Sequence, residues 1–199
     1  VAGSVQWIGD AEAAPVAAHR EDALRGRVDA ALTLQGVDPA RVRGDWPALP
    51  IDGVIEARAE GVQQSAQLRL QTAGARLEAE LTVDGGAAVT RFEASARLRE
   101  VVPQRFLAAA PAGKLGLDVE ASGKFGEAVE VALDWRLVDA RIEGRAFSGD
   151  GRLALAGERI VDAALHFALG DNRLRVDGAW GAPADRLRFN LDAPRLDSL

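Results

Sequence analysis

Apolar and polar residues alternate along most of this chain, and no other feature of the sequence restricts the fold as strongly. In residues 75–83, for example, Leu77 and Leu81 alternate with Arg76 and Glu78. A period of two places apolar side chains on one face of a β-strand and polar side chains on the other. The same alternation predicts strands in residues 28–34, 66–70, 92–98, 115–121, 129–137, 153–155, 161–169, 174–176 and 187–191.

Short segments rich in Gly, Asp, Asn and Pro separate these strands at residues 84–86, 148–151, 170–172 and 181–183. These residues favour tight turns, and tight turns join strands that run antiparallel. Residues 149–154 also contain a Gly-x-Gly-x-x-Ala string, but a strand rather than a helix is predicted after it. We therefore expect a hairpin turn there and not a dinucleotide-binding loop. The predicted fold class is all-β, with one long antiparallel sheet.

Two segments depart from the alternation. Residues 10–25 are rich in Ala, Glu and Arg and are followed by Gly26, which favours a helix after Pro15. Residues 102–110 place Pro103 where the first position of a helix tolerates it, so one or two helical turns are predicted. The sheet is therefore expected to carry one or two short helices.

The composition excludes several kinds of protein. The 199 residues contain no Cys, which excludes disulfides, thiol nucleophiles and thiolate zinc sites. The two His, His19 and His166, lie far apart in the sequence, so no His-based metal cluster is expected. A net charge of -6 disfavours nucleic acid as a partner. We predict one domain with no cofactor and no metal.

The sequence contains no Met and begins at Val1, without a basic leader followed by an apolar run. It also lacks any run of eighteen apolar residues. We expect residues 1–199 to be a single soluble fragment of a longer chain.

The segments that interrupt the strands recur at a spacing of about sixty residues. Pro39 and Pro103 are 64 residues apart, and Pro50 and Pro111 are 61 residues apart. Residues 34–97 and 98–190 are therefore predicted to be repeat units.

A sheet with one polar face must cover its apolar face, and no long amphipathic helix is available in the sequence to do so. Three alternatives remain: a second sheet, closure of the sheet on itself, or a ligand. About one residue in five is Ala, and small side chains between Leu leave room for an acyl chain between two curved walls. The same composition is compatible with an ordinary flat sandwich.

If the apolar face forms a groove, its lining follows from the alternation. The predicted lining residues are Leu68, Leu70, Leu77, Leu81, Phe92, Leu117, Val119, Val131, Leu133, Leu153, Leu155, Leu165, Phe167, Leu174, Val176, Leu187 and Phe189.

Three C-terminal segments resemble a known family. They are GRLALAGERI (residues 151–160), GDNRLRVDGAWG (170–181) and DRLRFNLDAPRL (185–196), and PAGKL (111–115) fits the same style. These motifs consist of turn residues and alternating strands and contain no catalytic signature. They are similar to those of the TamB family of translocation and assembly module proteins, which is related to the AsmA-like group.

The resemblance implies a taco-like sheet with an apolar groove, in the periplasm of a Gram-negative bacterium. It implies a protein anchored in the inner membrane by a segment outside this sequence and reaching the outer membrane. The implied partners are a TamA-like outer-membrane barrel, together with phospholipid acyl chains or outer-membrane protein clients such as autotransporters. The implied functions are outer-membrane protein assembly and phospholipid transport, neither of which is enzymatic.

No constellation of residues predicts a catalytic site. His19 and His166 have no Ser arranged beside them, and both are expected on the surface. The carboxylate pairs of the strands, Glu78 with Glu80 and Asp118 with Glu120, are expected to point into solvent. We interpret Asp150, Asp171 and Asn172 as turn residues, because they lack the spacing of a calcium loop.

The Trp residues are the remaining candidates for ligand contact. Trp46 lies in a Pro-rich connection and is expected to plug one end of the sheet. Trp135 falls on the apolar face, as core or as groove wall, and Trp180 lies near a predicted turn. The alternative to a groove protein is a closed β-sandwich or solenoid, acting as a structural or interaction module of a surface protein.

Overall fold

The computed structural model describes residues 5–6, 27–41, 44, 48–86 and 88–195. The predicted helix of residues 10–25, His19 and Trp46 lie outside these residues. The described residues form one antiparallel sheet, in which the spatial order of the strands is their order along the chain. The predicted all-β, antiparallel fold class is confirmed.

The first strand, β1, is a two-residue strand, and the other eleven have six to thirteen residues. The strands are β1 (Val5–Gln6), β2 (Arg27–Val37), β3 (Ile51–Glu60), β4 (Gln63–Thr72), β5 (Ala75–Gly85), β6 (Thr90–Val101), β7 (Gly113–Phe125), β8 (Glu130–Ile142), β9 (Arg145–Ala156), β10 (Arg159–Leu169), β11 (Asn172–Trp180) and β12 (Leu187–Asp192). In the part of the chain that the structure describes, β1 and β12 do not pair, so the sheet is open.

Tight two-residue turns join several of the strands. Ala73 and Gly74, between β4 and β5, both have positive φ (49° and 87°), as do Glu143 and Gly144 between β8 and β9 (49° and 76°). Two consecutive positive φ angles are typical of the type I′ turn, whose twist matches that of a β-hairpin. The chain can therefore reverse direction in two residues and continue the sheet.

The prediction of a turn at residues 148–151 is wrong. The segment lies inside β9, and the turn that precedes this strand is at Glu143 and Gly144. Gly149 and Gly151 are strand residues on the apolar face, where large side chains of the neighbouring strands occupy the space above them. Asp150, interpreted as a turn residue, instead lies on the polar face of β9.

The helical elements of the described residues are short. The described residues contain two single turns of 3-10 helix, Pro39–Arg41 and Pro103–Arg105. The second confirms a helical turn within residues 102–110, with Pro103 near its start. No helix in the described ranges is long and apolar enough to cross a membrane.

Strand register determines which side chains share a face. Directly opposed residues of antiparallel strands point to the same side of the sheet. Leu70 is opposite Leu77, Leu133 is opposite Leu153, and the equivalent pairs continue from β3 to β12. The register places all seventeen predicted lining residues on one face, which we call the apolar face; the other is the polar face.

Very little of the described chain is fully buried. The buried apolar side chains are Ala75, Ala140, Ala163 and Val176, and the buried polar side chain is that of Asn172. A close-packed core would bury large side chains completely. The described residues therefore form a single sheet rather than a sandwich with a solid core, and the rolled, taco-like shape stays a prediction.

Candidate binding surface

The apolar face is half-buried along its length. Fourteen of the seventeen predicted lining residues are half-buried, whereas Val176 is buried and Leu81 and Phe189 are exposed. No second sheet or long helix lies against this face among the described residues. The side chains obtain their partial burial from their neighbours in the same sheet.

An aromatic cluster lies on the apolar face where β8, β9 and β10 pair. The ring centroids of Trp135 (β8) and Phe167 (β10) are 5.2 Å apart, although β9 runs between their strands. The two rings can meet because β9 contributes Gly149 and Gly151, with no side chains, beneath them. Phe147 adds a third ring, 6.5 Å from Phe167. Trp135 thus lies on the apolar face, as predicted.

The same arrangement occurs near one end of β6 and β7. Phe92 is directly opposite Gly123 and covers it, and its ring stacks on Phe125 with the centroids 5.2 Å apart. Large rings placed over glycine cover backbone that would otherwise be open to water, a device that also stabilises strand pairing. The apolar face therefore presents aromatic rings as well as aliphatic side chains.

The apolar face is most exposed at the β12 end of the sheet. Phe189 and Leu191 are 69% and 62% exposed, and Trp180 of β11 is 60% exposed. No strand pairs with the outer edge of β12 in the described ranges. The exposed side chains thus lie next to an open sheet edge.

The polar face carries a row of charges that crosses six strands, β4 to β9. Each member is directly opposite the next in the register, and each pair has opposite charges. Opposite charges at directly opposed positions stabilise strand pairing. The row consists of Arg69, Glu78, Arg97, Asp118, Arg136 and Asp150, and His166 of β10 lies opposite Asp150.

Asp118 is the most strongly paired member of this row. Its carboxylate lies 2.5 Å from the Arg99 guanidinium and 3.6 Å from that of Arg136. The adjacent Arg99 guanidinium is the main cause that lowers the pKa of Asp118 below its ordinary value, and Arg136 adds to it, while partial burial opposes the change. The carboxylate therefore stays ionised to a lower pH than a free Asp side chain.

Replacing Arg99 by alanine is expected to raise the pKa of Asp118 towards the ordinary value, 3.8. Because the native pKa is lower than the unfolded one, Asp118 stabilises the fold above the unfolded pKa. That contribution is lost as the pH falls through the native pKa. An NMR titration of the Asp118 carboxyl group in both proteins measures the shift, and an unchanged pKa in Arg99→Ala would contradict the assignment.

Two further carboxylates are held in the same way. The pKa of Asp29 is lowered by hydrogen bonds from Arg58 and then Arg27, at 2.7 and 2.8 Å. The pKa of Glu100 is lowered mainly by its hydrogen bond from Lys114, at 3.3 Å. All of these groups are exposed, and such pairs add little stability individually. They keep the polar face charged and hydrated.

An acidic depression lies beside the charge row. Glu80, Glu93, Glu120 and Asp134 line it, and Glu120 is directly opposite Asp134. In the described part of the chain, no group of three or more His, Asp or Glu side chains has the arrangement of a metal site. The depression is a negatively charged surface of the polar face.

The other candidate residues lie on the polar face or in turns. Glu78, Glu80, Asp118 and Glu120 are on the polar face, although Asp118 is largely covered by its Arg partners. His166 is also there, and its Nδ1 lies 3.3 Å from Asp150.

Asp171 lies in the turn after β10, as predicted, whereas Asn172 is the first residue of β11 rather than a turn residue. Both contact a later segment of the chain. The Arg195 backbone N–H donates to Asn172 Oδ1 at 3.2 Å, and Asn172 Nδ2 donates to the Arg195 carbonyl at 3.4 Å. Asp171 lies 3.4 Å from the Arg195 guanidinium. Two hydrogen bonds and one ion pair therefore connect the segment after β12 to the region where β10 turns into β11.

Comparison of the chain with protein-family models, with curated proteins and with solved structures yields no match. The resemblance to the TamB family thus remains a prediction made from sequence segments.

Proposed function

We propose that this chain is a non-enzymatic, periplasmic part of a TamB-like protein, in which the apolar face binds apolar cargo. The cargo would be phospholipid acyl chains or outer-membrane protein clients such as autotransporters, moving between the inner and outer membranes. A TamA-like barrel would be the outer-membrane partner, bound by other parts of the protein. In this proposal the sheet curves into a taco-like half-pipe, with the apolar face inside.

One observation carries the proposal: the large apolar side chains share one face, and none of the described elements covers it. Each Å² of apolar surface that stays exposed to water costs about 25 cal/mol relative to the same surface when buried. Acyl chains or an amphipathic strand could cover it, because both present long, narrow apolar surfaces. Leu133 and Leu153, opposite each other in the middle of the sheet, would contact such cargo.

The polar face supports the same orientation. Its row of charges alternates in sign from strand to strand, and Asp118 within the row has ion pairs with Arg99 and Arg136. Solvated charges of both signs are suited to the outside of a structure in an aqueous compartment. Cargo binding is therefore assigned to the apolar face alone.

Photo-crosslinking from adjacent positions of β8 tests the proposal. A photo-reactive amino acid is placed at Leu133, on the apolar face, and in a separate variant at Asp134, on the polar face. Asp134 is a matched control because it is the next residue of the same strand and is exposed. In the full-length protein in cells, we expect lipid or outer-membrane protein adducts at Leu133 and neither at Asp134.

The adducts distinguish the two cargoes. Lipid adducts at Leu133 would assign phospholipid transport, and adducts with outer-membrane proteins would assign assembly. Crosslinks confined to the chain itself would overturn the proposal, since the apolar face would then be packed against the protein and the structural module would be the better assignment.

A further inference from the structure

We propose that the connection between β6 and β7, residues 102–112, inserts an apolar tip into the surface of an anionic phospholipid bilayer. The tip is residues 106–112, which are Phe, Leu, three Ala, Pro and Ala, without a polar side chain. Leu107 is 64% exposed and Phe106 is 37% exposed. The inference concerns one end of the strands and does not depend on what the apolar face binds.

The tip departs from the pattern of the rest of the chain. Along the strands each apolar residue is followed by a polar one, and 27% of all residues are charged. In the tip, six of the seven consecutive apolar residues are exposed, and Ala110 is half-buried. A run of exposed apolar side chains is unfavourable in water and is typical of a surface that contacts a partner.

The backbone of the connection forms several hydrogen bonds of its own. The N–H groups of Phe106 and Leu107 both donate to the Pro103 carbonyl, at 3.0 and 2.9 Å, and Ala110 N–H donates to the Leu107 carbonyl at 2.9 Å. Pro103 and Pro111 have no N–H group that needs a partner. A segment that enters an apolar medium must satisfy its backbone without water. The connection is therefore suited to a lipid environment.

Both ends of the connection are held by the neighbouring hairpin turns. The Arg105 guanidinium donates to the Ala73 carbonyl in the turn between β4 and β5. At the other end, Ala112 N–H donates to Glu143 Oε1, and Glu143 N–H donates to the Ala112 carbonyl, both at 2.7 Å. Because these bonds fix the position of the tip in advance, less conformational entropy is lost when it binds.

The strand ends around the tip carry more cations than carboxylates. We count the connection, the turns at 73–74 and 143–144, and the three residues of β5 to β9 nearest to them. The cations are Arg76, Arg99, Arg105, Lys114, Arg141 and Arg145, and the carboxylates are Glu100 and Glu143. The whole chain has the opposite balance, with 24 Lys and Arg against 30 Asp and Glu. Cations around an apolar tip favour anionic headgroups.

The position of the connection keeps it away from the edges of the sheet. It joins the sixth and seventh of twelve strands, so β1 and β12 are each five strand spacings away. At about 4.8 Å for each spacing, this distance is roughly 24 Å. A longer chain that continued the sheet at either edge would therefore leave the tip in place.

Vesicle co-sedimentation tests the proposal. We expect the chain to bind vesicles made of phosphatidylglycerol and phosphatidylcholine in equal parts, and to bind pure phosphatidylcholine vesicles more weakly. The double variant Phe106→Ser with Leu107→Ser removes the large side chains of the tip and is expected to bind the mixed vesicles roughly tenfold more weakly. Both side chains are exposed, so the variant should fold as the original chain does.

The exposed end of the apolar face provides the matched control. Phe189→Ser with Leu191→Ser removes the same two types of side chain from exposed positions of β12. This control should bind the mixed vesicles almost as well as the original chain. If it lost as much binding as the tip variant, the vesicles would contact the apolar face and the proposal would be overturned.

A fluorescent label placed at the tip gives a second measurement. The chain contains no Cys, so Leu107→Cys and, separately, Glu127→Cys can each carry one environment-sensitive label. Glu127 is exposed between β7 and β8, at the opposite end of the strands. With mixed vesicles, emission from position 107 should shift to shorter wavelength and be quenched by brominated acyl chains, whereas emission from position 127 should not change.

Two results would contradict insertion into a bilayer. The first is a chain that does not bind the mixed vesicles, or that binds them without a change in emission at position 107. The second is photo-crosslinking from position 107, in the full-length protein in cells, that reaches only a protein. That result would assign the tip to a protein partner.

Discussion

Replacing Gly151 by leucine is expected to lower the free energy of unfolding by about 2 kcal/mol. A Cβ atom at this position would lie 2.7 Å from both Leu165 Cδ2 and Trp135 Nε1. The two side chains would have to move apart, and the contact between Trp135 and Phe167 would be lost with them. Urea denaturation of the variant and the original chain measures the difference.

The neighbouring residue provides the matched control. Arg152 is the next residue of β9, is exposed on the polar face, and has an ion pair with Asp162 at 3.7 Å. Arg152→Leu introduces the same side chain and is expected to change stability by less than about 0.5 kcal/mol. Trp135→Leu in the Gly151→Leu background should recover part of the loss, because the smaller side chain vacates the space. Equal losses at Gly151 and Arg152 would contradict the packing described here.

Replacing Leu133 by arginine is expected to destabilise the fold by about 2 kcal/mol and to abolish the proposed binding of apolar cargo. Leu133 is half-buried between Ala121 and Leu153, which are opposite it on the two neighbouring strands. A guanidinium there would face apolar side chains, because Ala121 and Leu153 are its directly opposed neighbours among the described residues. Denaturation measures the first effect, and photolabelling with an acyl-chain probe measures the second.

Arg136→Ala is the control on the opposite face of the same strand. The Arg136 side chain is 71% exposed, and its contact with Asp118 is 3.6 Å long. Surface pairs of this kind contribute about 1 kcal/mol at most, so both stability and labelling should be nearly unchanged. If Arg136→Ala abolished labelling while Leu133→Arg did not, the roles assigned to the two faces would be reversed.

The strands were predictable where the alternation is strong, and the exceptions have a physical cause. β3 was missed because Gly53, Ala57 and Ala59 give its apolar face little hydrophobicity, and Val54 lies on its polar face. β9 was predicted to begin only at Leu153, since Gly149 and Gly151 are typical of turns. The rings that cover these two glycines come from β8 and β10. The sequence of β9 alone therefore does not show that the glycines lie within a strand.

The two surfaces differ in how far sequence reasoning could reach. The apolar face follows from a period of two within each strand, so its seventeen predicted residues could be placed on one side without knowledge of the pairing. The charge row depends on register, which joins residues as distant as Arg69 and Asp150 through five successive pairings. The signal that could have found it is the sign of the charge at the middle of each successive strand.

The order of strands in the sheet also determines how the protein gains and loses structure. Each strand makes its main contacts with the strands before and after it in the chain. Stability is then close to a sum of nearest-neighbour terms, as in repeat proteins, and the sheet can form by adding one hairpin after another. A force that pulls the two ends of the chain apart is accordingly expected to detach the strands one at a time, starting from an edge of the sheet.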